Sequence, residues 1–236
     1  MMSRRLAVPM LLGMPLGLAG CSGPFSALDA AGPSAATAAL LWWGMFVAFS
    51  LVWLAVVGLW LYAMFRQPAS DDPARARRIE KRWIIGGGVA LPVVSMTVLL
   101  AYGIPAGHSM LPLPPDEGAP LEIHVTAHQW WWEVVYPESG IALADELHIP
   151  AGRPVDVHLR SADVIHSFWV PRLGGKLDAV PGRTNVQRVQ ADEPGSYRGQ
   201  CAEYCGIGHA HMHFTVTAHT PEDFEAWKRQ EMHGDD

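Results

Sequence analysis

The stretch from Gln200 to Met212 gathers two thiols, Cys201 and Cys205, an imidazole at His209 and a thioether at Met212, and another imidazole, His166, stands upstream. Thiolate, thioether and imidazole donors select copper or zinc over magnesium or calcium, and a weak axial Met favours an electron-transfer copper. A mononuclear copper of that kind uses one Cys. A second thiolate four residues on allows the pair to bridge two copper ions, with one His on each ion and the Met and a backbone carbonyl completing the shells. Three other outcomes fit the same residues: a small-loop disulfide in an oxidising compartment, a tetrahedral zinc on two Cys and two His, or simple burial of free thiols. His211 and His213 crowd the loop, and spacing alone does not choose among the imidazoles.

These donors need a rigid support, and the flanking pattern supplies one. Leu121, Ile123, Val125 and Ala127 alternate with polar residues, as do Val155, Val157 and Leu159, and the pattern recurs around Val186 and from Phe214 to Thr217. Alternation of this kind marks half-buried strands. Turn signals at Pro150 to Gly152, Gly174-Gly175, Pro181-Gly182 and Pro194-Gly195 divide them. Several short strands so spaced predict a Greek-key sandwich or barrel. A ligand from one connection (His166) and a cluster from another can then meet at one end of the sandwich. Alternation also predicts that Trp130 and Trp132 share one face of a strand and Trp131 the other. Thr220, Pro221 and Asp223 predict a helix start, with a short terminal helix to about Met232.

Ahead of this domain the chain is apolar. Met1 to Gly20 carries Arg4 and Arg5, a short apolar run and small residues before Cys21, which reads as a leader of residues 1–20 rather than a span. The run Leu18-Ala19-Gly20-Cys21 resembles a bacterial lipoprotein processing site, which makes Cys21 a lipidated first residue. No charge occurs from Ala30 to Phe65, and residues from about Thr37 predict one membrane helix, with Trp42, Trp43 and Tyr62 as interfacial anchors. Residues 66–82 carry six basic side chains and predict a cytoplasmic linker. Trp83 to Gly107 predicts the second span, its Gly and Pro residues tolerated by helix packing. A Pro-rich outer linker runs from Pro105 to Pro120.

The whole chain has a formal charge of −6, yet from His108 onward nineteen Asp and Glu face nine Lys and Arg. An acidic external domain attracts a cationic partner and argues against nucleic acid, which needs a basic footprint. Three Cys make no disulfide framework.

Three segments carry a family resemblance. They are His166 followed by Ser-Phe-Trp-Val-Pro, Lys176-Leu-Asp178-Ala-Val-Pro181-Gly182-Arg183, and Gly199-Gln200-Cys201-x-Glu203-x-Cys205-Gly206-x-x-His209-x-x-Met212. Together they resemble subunit II of the haem-copper cytochrome c oxidases, over a range from about Ala38 to the end. The resemblance implies a two-helix transmembrane hairpin (residues 37–107) after an external segment (residues 21–36), and an extracytoplasmic cupredoxin-like copper domain (residues 108–236) on the periplasmic side of a bacterial inner membrane.

It implies a dinuclear copper A centre on His166, Cys201, Cys205, His209 and Met212, with Glu203 contributing its backbone carbonyl. The Glu203 carboxylate would help hold magnesium at the boundary with subunit I. Trp130 is implied to admit electrons from cytochrome c, Asp163 to guide donor docking, with looser matches at Glu133, Asp145 and Glu146, and Glu80 to mark the mouth of a proton path. Tyr is common in the family where this chain has Trp131. The electrons pass to haem in subunit I, where oxygen is reduced with proton pumping. No Cys-x-x-Cys-His motif occurs, so no haem is expected on this chain and the donor is separate. The rival readings are subunit II of a quinol oxidase, which shares the architecture but lacks the copper ligands, a free-standing copper carrier, and the dicopper domain of a nitrous oxide or nitric oxide reductase.

Overall fold

The computed structural model describes residues 19–66, 72–113 and 119–233. Most of the leader, residues 1–18, lies outside them. The chain divides into two units, residues 40–110 and the remainder.

In the helical unit, helix α1 (Pro33–Phe65) continues from Leu40 as an apolar rod, and helix α2 (Pro73–Ile85) runs through one π-helical segment (Gly86–Ala90) into helix α3 (Leu91–Ser109). Both rods are long and apolar enough to cross a membrane. They leave Trp53, Trp60, Val94 and Val98 about three-fifths exposed, surface that only lipid or another protein chain would cover in the native state. The second rod starts ten residues before Trp83, which corrects the linker expected over residues 66–82. Asp72 caps it by accepting a hydrogen bond from the Ala74 amide, and Pro73 sits in the first turn, where its missing N–H is harmless. Helical periodicity then puts Arg75, Arg78 and Arg82 on one side and Glu80 on the opposite side, beside Ala76, Arg77, Trp83 and Ile84.

The β-unit is a sandwich of two five-stranded sheets. Its strands are β1 (Leu121–His128), β2 (Trp131–Val135), β3 (Ala142–Ala144), β4 (Glu146–Pro150), β5 (Val155–Ser161), β6 (His166–Trp169), β7 (Leu177–Ala179), β8 (Asn185–Val189), β9 (Gly195–Cys201) and β10 (His213–His219). The first sheet has the order β3-β2-β1-β5-β8 and the second β4-β10-β9-β6-β7. β1 and β5 pair in parallel, as do β4 and β10, so the chain repeatedly crosses between sheets in a cupredoxin-like Greek key. The alternation read from sequence holds: Ile123, Val125, Ala127, Val155, Val157 and Leu159 are buried.

Trp132 is fully buried against Phe168 and Phe214, but Trp130 does not share its face. Trp130 precedes β2 in a turn, so strand alternation begins only at Trp131, and both Trp130 and Trp131 remain more than one-third exposed.

How the two ends of the β-unit pack was silent in the sequence, although the terminal helix itself was expected. The segment before α1 lies against the domain: the Ala31 amide donates to the Arg172 carbonyl, the Asp192 amide donates to the Ala31 carbonyl, and Asp29 pairs with Arg172 at 3.3 Å. Gly32 is required there, because a Cβ would stand 2.2 Å from the Gln190 carbonyl oxygen.

At the other end of the chain, helix α4 (Pro221–His233) begins at Thr220, whose hydroxyl accepts from the Asp223 amide, and docks through Trp227. The Trp227 ring stacks on His148 at 4.2 Å, and His148 Nδ1 lies 2.8 Å from His219 Nε2. Burial first, and then the neighbouring His219, hold His148 below the ordinary imidazole value, and burial lowers His219 as well. The carboxylates Glu146, Glu231 and Asp223 pull the other way without winning.

Both imidazoles resist protonation in the fold but not in the unfolded chain, so unfolding takes up protons once pH drops below about 6.5. The stability contribution is complete above that value and is lost as pH falls from there through the lowered folded values. The domain is therefore expected to melt at lower temperature at pH 5 than at pH 7.5, with a smaller difference in His219→Gln. Melting curves followed by circular dichroism test this, and an unchanged pH slope in His219→Gln would remove the pair as the cause.

Candidate metal centre

Strand pairing alone brings the donors together. β6 runs antiparallel to β9, and β9 antiparallel to β10, so the start of β6, the end of β9 and the start of β10 lie at one end of the second sheet. His166 opens β6, Cys201 closes β9, and Met212 immediately precedes β10. His166 is thus on a strand rather than in the connection expected to carry it. The Cys201 amide donates to the Met212 carbonyl and the Ala202 amide to the Ser167 carbonyl, locking the three elements.

All six positions implied to ligate copper converge. Cys201 Sγ and Cys205 Sγ are 3.8 Å apart and unbonded, which removes the disulfide alternative from this structure. His166 Nδ1 lies 3.8 Å from Cys201 Sγ, and the Glu203 carbonyl oxygen 3.2 Å from the same sulfur. His209 Nδ1 lies 3.6 Å and Met212 Sδ 3.8 Å from Cys205 Sγ. His166, both thiols and Met212 are buried. With metal–sulfur bonds of about 2.3 Å, two thiolates on one tetrahedral ion stand about 3.8 Å apart, so the thiol pair is spaced to share metal. Each sulfur has its own imidazole. His211 is exposed and His213 only half buried, its ring 6.0 Å from that of Phe25 in the N-terminal segment. Burial first, and then the charge of Cys201, push the Cys205 thiol up to about 12.

Asp163, expected as a docking carboxylate, is exposed and also bonds toward the cluster. Its Oδ2 accepts from the Gln129 amide at 2.7 Å, and its Oδ1 lies 2.8 Å from His166 Nε2 and accepts from the Val164 amide. Burial alone would raise this carboxyl, yet the hydrogen bonds from His166, Val164 and Gln129 outweigh it and hold the carboxyl below its usual range. A carboxylate on Nε2 keeps the proton there and leaves the Nδ1 lone pair facing Cys201. Asp163→Asn is expected to weaken copper binding about tenfold or more, measured by competition with a chelator; an unchanged affinity would make the contact incidental.

Asp145 is likewise occupied: its Oδ1 accepts from the Trp132 amide at 2.8 Å, in a residue with φ 59°. Glu133 lies 3.8 Å from His128 and Glu146 3.7 Å from His148.

The outer wall of the loop is Trp130. Its Nε1 and the Gln129 Nε2 both donate to the Cys205 carbonyl, at 3.2 Å and 2.8 Å. The indole lies over Gly208, where a Cβ would meet ring carbons at 2.4 to 2.7 Å. Exposed Trp131, Ile165, Tyr204 and Ile207 complete an apolar set on β2, beside His166 and on the loop itself. Glu203 turns its half-exposed carboxylate to Lys176, 3.7 Å away, and Lys176 also lies 3.4 Å from Asp178. Magnesium takes about six oxygens, so this carboxylate alone does not complete a site for it. Glu80 is exposed on α2 and Cys21 is half buried in a short turn (Ala19–Cys21), with its carbonyl accepting from the Ser26 hydroxyl.

The fold and the donor set define a class: a cupredoxin-like domain with a thiol, imidazole and thioether cluster, preceded by two helices apolar enough for a membrane. The model of the cytochrome c oxidase subunit II periplasmic domain matches residues 139–219. A cytochrome c oxidase subunit 2 of Alkalihalophilus pseudofirmus is 34% identical over 231 residues, covering 91% of this chain and 65% of that protein. A quinol oxidase subunit 2 of Bacillus cereus is 32% identical over 232 residues, covering 96% of this chain and 79% of that protein. Among solved structures, the periplasmic domain of subunit II of a Bradyrhizobium japonicum cytochrome oxidase is 30% identical, with TM-score 0.47, covering 50% of this chain and 96% of that one. The chain spans less than two thirds of the Alkalihalophilus relative and 41% of a second cytochrome c oxidase subunit 2, from Thermostichus vulcanus. The chain belongs to the oxidase subunit II family that its cytochrome c oxidase and quinol oxidase relatives share.

Proposed function

We propose that this chain is the electron-accepting subunit of a membrane-bound cytochrome c oxidase. It takes electrons from cytochrome c at a dinuclear copper A centre and passes them to haem in subunit I, where oxygen is reduced to water with proton pumping. The observation that carries this reading is the buried, unbonded thiol pair at 3.8 Å with a separate imidazole on each sulfur. Copper bound there supplies a one-electron store shared between two ions. His166, Cys201, Cys205, His209, Met212 and the Glu203 carbonyl hold it, and the sheet keeps those donors fixed between oxidation states. Trp130, bonded to the Cys205 carbonyl, forms the path inward for the electron. The acidic external half draws a cationic donor, and the exposed apolar side chains beside Trp130 seat it.

In this reading residues 37–107 form the membrane hairpin, residues 66–82 face the cytoplasm, and residues 108–236 face the periplasm of a bacterial inner membrane. Residues 1–20 are a cleaved leader and Cys21 carries lipid. The Glu203 carboxylate, with oxygens from subunit I, holds magnesium. Glu80, exposed on α2, opens a proton path.

The Bacillus cereus relative favours a second reading, subunit II of a quinol oxidase. The donor set separates the two, since a quinol oxidase subunit II is expected to lack the copper ligands. Copper analysis with electron paramagnetic resonance decides between them: two copper ions per chain with one unpaired electron coupled to both nuclei support the proposal, and a protein without copper, or with one, rejects it. Gly208→Ala gives a finer test. Gly208 has φ −88°, so the added methyl strains no backbone and acts only by displacing the Trp130 indole. Reduction by cytochrome c in stopped flow is expected to slow about tenfold, equivalent to about 1.4 kcal/mol on the barrier, with the copper signal retained. An unchanged rate would remove Trp130 from the path.

A further inference from the structure

The outer face of the first sheet carries a pair of imidazoles that the copper centre does not use. His124 on β1 and His158 on β5 are directly in register across a parallel ladder, with ring centres 5.3 Å apart and planes at 50°. Their strand neighbours Ile123, Val125, Val157 and Leu159 are buried, so both rings point away from the core, His124 exposed and His158 half buried. We propose that His124 and His158 form a bidentate surface site for a borderline divalent ion of the zinc, copper(II) or nickel class.

The separation fits that chemistry. With metal–nitrogen bonds of about 2.0–2.1 Å, two imidazoles at a tetrahedral angle place their ring centres about 5.2 Å apart. Imidazole nitrogen suits zinc, copper and nickel and not calcium or magnesium. The charged β5 residues in the rows above and below are already engaged. Asp156 is held by Arg188 through two contacts of 2.8 Å, and Arg160 Nε donates to Thr184 Oγ1 at 2.6 Å. Glu122, exposed and two residues before His124 on the same face, places a carboxylate near an incoming cation.

Protonation competes weakly with the metal. Partial burial, then the charges of His158 and Arg160, hold His124 below the ordinary imidazole value against the opposing pull of Glu122. A neutral ring is the ligating form. Two open coordination positions remain on the solvent side of such an ion, so it would bind exchangeably rather than as a structural closed site.

The test is copper(II) binding to the full chain, with and without His124→Gln or His158→Gln, followed by isotherms and electron paramagnetic resonance. The copper loop is common to all the variants and cancels in the difference, so the outcome does not depend on whether that loop is filled. The wild-type chain is expected to bind one additional copper(II) with an axial signal split by two imidazole nitrogens. Because the second imidazole binds intramolecularly, each single substitution should weaken this binding at least about tenfold, and the double variant, with neither imidazole, should lose it. Both side chains lie on the outer face, and equal melting temperatures check that the variants are folded. Equal copper stoichiometry and affinity in the wild type and both variants, or a loss on changing only one of the two residues, would overturn the site.

Discussion

Cys205→Ser is expected to abolish the two-copper signal and to slow electron uptake from reduced cytochrome c at least about a hundredfold, equivalent to more than about 2.7 kcal/mol on the barrier. Cys205 lies between Cys201, His209 and Met212, each within 3.8 Å of its sulfur, so its loss disconnects three donors at once. A hydroxyl is a poor ligand for soft copper, and the remaining thiol has no partner with which to share ions. The fold should survive, because Ser is smaller than Cys and its hydroxyl has His209 Nδ1 as a nearby acceptor. Copper content at or below one per chain, with retained circular dichroism, is the expected pattern; two coupled copper nuclei in Cys205→Ser would refute the bridging arrangement.

The same residue fixes a pH dependence. Its thiol, pushed up to about 12 by burial and by Cys201, is protonated in the metal-free protein across the physiological range. Ligation needs the thiolate, so copper uptake releases a proton here and its affinity falls as pH falls.

The sequence made the donor cluster legible because it is nearly local: Cys201 to Met212 is one loop, and residue types with distinctive chemistry fill it. It also made β1 and β5 legible, since both bury every second residue. Trp130 was misplaced because alternation was extended through a turn that begins before β2. The start of α2 was readable in Asp72-Pro73, a cap followed by a first-turn proline, but the basic charge of the segment suggested a linker instead.

The remaining features are long-range and leave no local pattern. The Gln129 amide is tied to Asp163, thirty-four positions away in sequence, and the N-terminal segment is held by Arg172 and Asp192. Nothing in the spacing of His148, His219 and Trp227 announces that they stack.

Trp132→Ala should destabilise the β-domain by about 3–5 kcal/mol, the usual range for emptying a large aromatic site in a core. Trp132 is fully buried, with edge contacts to His166, Phe168 and Phe214 at centroid distances of 6.0, 5.7 and 5.4 Å. For a domain of this size the loss corresponds to a fall of about 10–20 °C in melting temperature.

Trp132→Phe is the informative control. Among the described residues the buried indole N–H has no acceptor, so Phe removes an unsatisfied donor while keeping most of the ring contacts, and the net cost should stay under about 1.5 kcal/mol. The cavity in Trp132→Ala borders His166, so copper affinity should fall with stability, whereas in Trp132→Phe both should hold. Melting and chelator competition on the two variants separate ring volume from the N–H. If Trp132→Phe melts as far below the wild type as Trp132→Ala, the filled ring volume is not what stabilises the domain at this position.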